Sequence, residues 1–291
     1  MAQGDSPAVA RRRVRLAVRD ARQALNQTQT DVAEAMEWSL SKVQRIEKGD
    51  VTIAPNDLRP LLAYLGVRNR DRVEDLIQAA KVSRQRRQWW DSARFREHVT
   101  SPMLQLAGYE ADAEEIYHFN PAIIPGVLQT PEYALTVLNS YGAESSRETR
   151  DVRVEFRQRR RGELLARVEP PRLLLILDES VLFRHMGDRA MHRAQLADLA
   201  NLAQDGRLNV RIMPFEINES VPILGPFEIY YLGGNRSNPE ENAVMYRESG
   251  DQDEMVEDVE KLRRHRTMFD RWWHSSYDEE KSAQLIGDHA K

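Results

Sequence analysis

Residues 28–49 read TQTDVAEAMEWSLSKVQRIEKG, and this stretch decides how the N-terminal third folds. Thr28 can cap a helix through its hydroxyl, and Asp31, three residues on, completes a box-like pair. Val32, Ala33 and Met36 give that short helix an inner face. Glu37-Trp38-Ser39 makes a turn, and Ser39 can cap a second helix from Leu40 to Lys48. Gly49 suits the position after a helix end, where a left-handed backbone is common. Val43 and Ile46 point inward. Ser41, Gln44, Arg45 and Lys48 then share an outward face at i, i+3, i+4 and i+7. All four carry hydrogen-bond donors and two are cationic. Two short helices joined by a three-residue turn suit DNA, whose major groove is about 12 Å wide and admits one α-helix. Gln29 opens the first of the pair, where its side chain and the free amides can hold a phosphate.

The flanking sequence extends this pair to a bundle. From Arg12, the apolar residues Val14, Ala17, Val18, Ala21 and Leu25 recur at helical steps, and Asn26-Gln27-Thr28 interrupts them. A fourth helix is expected over Asp57–Leu65, before Gly66. A fifth runs from Arg70 to about Lys81, with Val73, Leu76, Ile77 and Ala80 inward. Residues 12–82 thus read as a five-helix DNA-binding domain. Arg12 and Arg13 are added to Gln29 and Lys48 as candidate phosphate contacts.

Charge points the same way. Residues 1–96 hold 19 Lys and Arg against 12 Asp and Glu, a balance of +7, while the remainder holds 23 against 34, a balance of −11. A basic module on an acidic body fits a polyanion-binding unit joined to something else. Only 6 of the 42 basic residues are lysine, which weakens any argument from arginine count alone. The chain has no cysteine, which excludes a disulfide framework, a cysteine nucleophile and a thiolate metal site. The longest apolar run, Leu173–Leu177, falls far short of the roughly 20 residues a membrane span needs. No secretory signal is evident at the N-terminus. A soluble cytosolic protein is expected.

Thr28-Gln29, Val32-Ala33, Ser39 and the run Lys42–Gly49 resemble the XRE, or phage-repressor-like, helix-turn-helix family. The resemblance implies a five-helix bundle whose third helix reads bases. It places Ser41, Lys42 and Arg45 at base-facing positions, Gln29 at a phosphate clamp, and Arg22 with Glu47 as a structural ion pair. The family often has glycine in the turn, and Glu37 stands there instead, at a cost of about 1 kcal/mol if φ is positive.

Residues 83–110 read as a basic helical linker that includes Trp89-Trp90, and residues 111–277 as a second domain. Glu115–Phe119 is a short strand. Thr130-Pro131 opens a helix through Tyr141. Ser145–Val168 is a long helix whose arginines alternate with acids, as expected for a salt-bridged surface face. Arg172–Leu177 is a strand buried on both sides. A helix over Arg189–Gln204 leads to a strand over Asn209–Phe215, giving a parallel pair with a crossover. Strands at Phe227–Leu232 and Ala243–Glu248 pair antiparallel around Gly233-Gly234-Asn235. A helix from Asp253 to about Ser275 closes the domain, and the polar tail after Tyr277 is expected to fray. The fold class is α+β overall: an all-α five-helix bundle plus an α/β domain with a small mixed sheet.

Pro125–Ala134, Leu177-Asp178-Glu179, Val210–Phe215 and Gly225-Pro226-Phe227 resemble an actinobacterial group of XRE regulators with an uncharacterised C-terminal domain. That group is called antitoxin-like, because a small partner protein is commonly encoded beside its members. The resemblance implies either a small protein partner or a small-molecule effector for the second domain.

An enzyme is the competing class. Asp178 and Glu179 follow a strand, with His185, Asp188 and His192 nearby, but the spacing fits no metal or catalytic motif. The acids read as helix caps, and no cofactor or metal is implied. The expectation is a non-catalytic regulator, in effect a repressor, that binds a roughly palindromic double-stranded operator as a homodimer. Arg45 is the first choice for a guanine contact, assisted by Ser41, Lys42 and Gln44. The alternative is an antitoxin-type protein that neutralises a small partner and regulates its own operon.

Overall fold

A computed structural model describes residues 6–85, 88–140, 146–217, 225–233, 239–249 and 252–291. The chain divides into two compact units, Met1–Ser92 and Ala93–Lys291.

The first unit is the expected five-helix bundle: α1 (Pro7–Ala24), α2 (Gln29–Ala35), α3 (Leu40–Lys48), α4 (Pro55–Tyr64) and α5 (Arg70–Ser83). The first helix begins at Pro7 rather than Arg12. Ser6 accepts the Val9 amide and Pro7 starts the first turn, so two local signals extend the helix beyond its apolar stripe. Val14, Val18, Val32, Val43, Ile46, Leu58, Leu61, Leu62, Leu76 and Ile77 converge in one core. Thr28 and Asp31 form the capping box, and the Ser39 hydroxyl accepts the Lys42 amide.

The second unit begins with α6 (Ala93–His98) and α7 (Ser101–Glu110), then β1 (Ala113–Asn120), α8 (Pro131–Ser140) and α9 (Arg147–Leu165). It continues with β2 (Arg172–Asp178), α10 (Ser180–Phe183), α11 (Arg189–Gln204), β3 (Asn209–Met213) and β4 (Phe227–Leu232). It ends with β5 (Ala243–Ser249), β6 (Gln252–Val256), α12 (Val259–Ser275) and α13 (Glu279–His289). Both α6 and α7 lie in the stretch that read as a linker, yet they pack within this unit. Phe95 of α6 sits edge-on against Phe156 of α9, and Glu110 of α7 pairs with Arg160.

Six strands form one mixed sheet in the order β3-β2-β1-β4-β5-β6. The β1, β2 and β3 strands are parallel neighbours, while β4, β5 and β6 add antiparallel to the free side of β1. The crossover pair expected from residues 172–215 is therefore present as β2-α11-β3. On one face, Phe269 and Trp272 of α12 bury Tyr117, Phe119, Ile176, Ile229 and Met245. Gln195 of α11 ties the opposite layer together: its Oε1 accepts the Thr130 amide and its Nε2 donates to the Leu128 carbonyl.

Three local expectations are corrected. Residues 252–256 are a strand rather than the start of a helix, because they find a partner edge in β5, with Val256 buried, and Asp258 caps the helix only from Val259. The C-terminal tail is ordered as α13. Tyr277 donates its amide to the Ile212 carbonyl and Ser282 Oγ accepts the Ile212 amide, so this segment covers the open edge of β3. Ile286 is fully buried beneath it. The arginines of α9 do not all stay at the surface: Arg157 and Arg160 are buried. Within the turn expected between β4 and β5, Gly234 and Asn235 lie outside the described residues, as do Tyr141 and Ser145.

Candidate nucleic-acid interface

The turn that sets α3 against α2 depends on Glu37. Its φ is +54°, the left-handed value that glycine adopts without strain. The Trp38 amide donates to the Ala33 carbonyl at 2.8 Å and the Glu37 amide to that of Glu34 at 3.1 Å, which closes the end of α2. At the far end of α3, Gly49 has φ +84° and the Asp50 amide donates to the Arg45 carbonyl at 2.9 Å. Glu37→Gly is expected to relieve about 1 kcal/mol of strain, raising the midpoint of thermal unfolding of this unit by about 4–8 °C. A lower midpoint by calorimetry would show that the Glu37 side chain contributes more than its backbone costs.

Behind the turn, Arg22 of α1 and Glu47 of α3 form a two-pronged ion pair. Arg22 Nε donates to Glu47 Oε1 at 2.6 Å and Nη2 to Oε2 at 2.9 Å, while Nη1 donates to the Gln27 carbonyl at 2.7 Å. The carboxylate also accepts Gln29 Nε2 at 2.8 Å. The hydrogen bond that Arg22 donates to Glu47 raises the Arg22 pKa, against the lowering effect of burial. One buried acid thus fixes the angle between α1 and α3 and holds Gln29 at the start of α2. An amide nitrogen carries two N–H donors, so Gln29 retains one for an anion at that helix end.

On the outer side of α3, Ser41, Arg45 and Lys48 are exposed and Gln44 is half-buried. The Arg45 Nε lies 3.4 Å from the Ser41 carbonyl, a weak contact that leaves the guanidinium fork pointing away from the bundle. Lys42 is differently placed. Its ammonium lies 3.0 Å from Asp57 and 3.7 Å from the centre of the Trp38 ring. The Lys42 ammonium is thus engaged within the bundle, whereas the Arg45 side chain is exposed. Arg13 is exposed, with Asp75 at 3.6 Å. Arg12 is only 6 % exposed and is withdrawn as a phosphate contact. Sequence reasoning could not see this, because a helical stripe shows which residues face the core but not what else covers the remaining side.

The acids and histidines of the second unit take local structural roles. Asp178 Oδ1 accepts the Ser180 amide, Glu179 Oε2 accepts the Phe215 amide, and Asp188 caps α11 through the Met191 amide. His185 and His192 sit with ring centres 5.1 Å apart, and burial lowers the His192 pKa.

Residues 14–76 match the family model described as Helix-turn-helix domain. Residues 103–288 match the model described as Domain of unknown function (DUF5753). No curated protein and no solved structure matches the chain significantly.

Proposed function

We propose, for a chain that belongs to the DUF5753 family and carries a helix-turn-helix DNA-binding domain ahead of that unit, a sequence-specific transcriptional regulator of the XRE type. The observation that carries this reading is the outer face of α3. Ser41, Gln44, Arg45 and Lys48 stand there on a rigid helix capped at both ends and braced from behind by Arg22 and Glu47. Arg45 reads guanine, because its planar fork matches the O6 and N7 acceptors. Ser41 and Gln44 assist it. Gln29, Arg13 and Lys48 hold phosphates and set the register. The regulator acts in the cytoplasm as a homodimeric repressor on two half-sites about one helical turn apart. Among the described residues no helix is long and apolar enough to cross a membrane, which accords with that setting. The second unit, twice the size of the reader, binds the small protein or small molecule that changes DNA affinity. The resemblance to an actinobacterial group supports this division of labour.

A footprint of the purified chain on the DNA upstream of its own coding sequence tests the reading. A protected, two-fold-related site supports it. No protection at any salt concentration would overturn it. Arg45→Ala is expected to cost about 1–3 kcal/mol of specific affinity and to relax preference at one base pair of each half-site. Unchanged affinity and an unchanged footprint would remove Arg45 from the reading set.

A further inference from the structure

The second unit carries polar groups in its sheet that the fold does not require. Strand pairing sets His118 opposite Glu228 and Glu228 opposite Tyr246, so these three side chains form a row across β1, β4 and β5. Glu248, two residues beyond Tyr246, shares their face. Arg157 of α9 and Gln129, from the turn before α8, approach from above. Glu228, Tyr246, Glu248, Arg157 and Gln129 line a cavity of about 380 Å³, counting its open mouth, whose interior has room for about one water-sized group. Phe119 and Phe227 also border it, but their rings pack on the opposite face of the sheet, beneath α12.

An account of the donors and acceptors shows what is left over. Both polar atoms of Gln129 are engaged: Nε2 donates to the Ile124 carbonyl at 2.8 Å and Oε1 accepts Arg157 Nη1 at 3.2 Å. Glu228 accepts the Tyr230 hydroxyl and has His118 Nδ1 at 3.5 Å. Deeper in, Arg160 is taken up by Glu110. The Tyr246 hydroxyl, on a residue only 3 % exposed, makes no hydrogen bond of good geometry among the described residues, although the Asp253 carboxylate lies nearby. No described cation lies within ion-pair distance of Glu248, and burial raises its pKa, partly offset by the Arg157 charge. At the cavity wall Glu248 thus lacks an ion-pair partner, while Glu228 is already held by the charges of His118 and Arg160. An unpaired buried hydroxyl and an unbalanced carboxylate are costly to maintain, and both costs fall when a cation with several N–H donors enters.

We propose that this cavity binds a primary ammonium group, donating to Glu248, Tyr246 Oη and Glu228, with its aliphatic chain leaving through the open mouth. An ammonium has three donors, no acceptor and about the size of a water molecule, which matches the three acceptors and the narrow interior. The ammonium belongs either to a free alkylamine or to the side chain of a lysine on a partner. The inference deepens the effector reading above. Its test uses no DNA, so it stands or falls separately from DNA recognition.

The full chain is titrated with n-butylamine, with Nα-acetyl-lysine N-methylamide and with n-butanol, followed by ligand-observed saturation-transfer NMR at pH 7.5. Saturable binding of an ammonium but not of butanol is expected. Glu248→Gln, close in size to the native residue, should weaken it at least tenfold, and Tyr246→Phe severalfold. If butylamine binds tighter, the natural ligand is a free amine; if the lysine derivative does, it is a polypeptide side chain. Both results support the site. Butanol binding as well as the amines, no saturable binding by either, or full binding by a Glu248→Gln chain with a native melting curve would each overturn it. Should Tyr246→Phe fail to fold, Glu248→Gln alone decides.

Discussion

Glu47→Ala is expected to lower the unfolding temperature of the N-terminal unit by about 12–24 °C and to abolish specific DNA binding at 37 °C. The carboxylate is 4 % exposed and accepts three hydrogen bonds, two from Arg22 and one from Gln29. Removing one partner of a buried ion pair strands the other, and such changes cost about 3 kcal/mol or more. In a bundle of this size each kcal/mol is worth about 4–8 °C. Arg22→Lys should recover only part of the loss, since an ammonium cannot present the two-pronged fork. Calorimetry of the two variants checks this. A Glu47→Ala chain that melts within about 3 °C of the native one would show that the pair neither braces the bundle nor positions Gln29.

The second large effect belongs to the other unit. Arg160→Met is expected to destabilise it by about 3–5 kcal/mol, because Glu110, 3 % exposed, would remain as an uncompensated buried charge. Arg160 Nε donates to Glu110 Oε2 at 2.7 Å and Nη2 to Oε1. In a domain of this size the loss corresponds to about 6–20 °C. The double variant Glu110→Leu with Arg160→Met should regain most of the stability, since apolar side chains of similar volume fill such a site at little net cost. Denaturant unfolding of the single and double variants closes the cycle. A double variant no better than Arg160→Met would mean that the pair contributes net stability, beyond its burial cost. The neighbouring Glu228 lies in the same polar layer. Burial would raise its pKa, but the charge and hydrogen bond of His118 and the charge of Arg160 outweigh that and hold its carboxyl below the ordinary range.

The helix-turn-helix was legible because its information is local. Thr28, Asp31, Ser39 and Gly49 act within four residues of themselves, and the inward positions of α3 repeat at helical spacing. The left-handed backbone at Glu37 is implied by the family resemblance, whose turn often has glycine there. Local information also decides β2, whose unbroken apolar run can only be a strand covered on both sides. Residues 252–256 misled because Met255 and Val259 fit a helical stripe as well as a strand end. What settles the matter is a hydrogen-bonding edge on β5, and sequence does not reveal which edges are free.

What the sequence by itself determined is therefore the reader: five helices and the exposed face of α3 rest on spacing and capping, and the brace of Arg22 against Glu47 on the family resemblance. Only the tertiary structure decided the fate of the polar groups in the second unit. Arg157 and Arg160 look like any other charges on a solvated helix until α9 is laid beside α7 and the sheet. Glu228 and Tyr246 look like strand residues facing water until pairing sets them side by side. The charge of a side chain is written in the sequence. The dielectric around it, and the partner that balances it, come from elements up to 120 residues away, as between Glu110 and Tyr230.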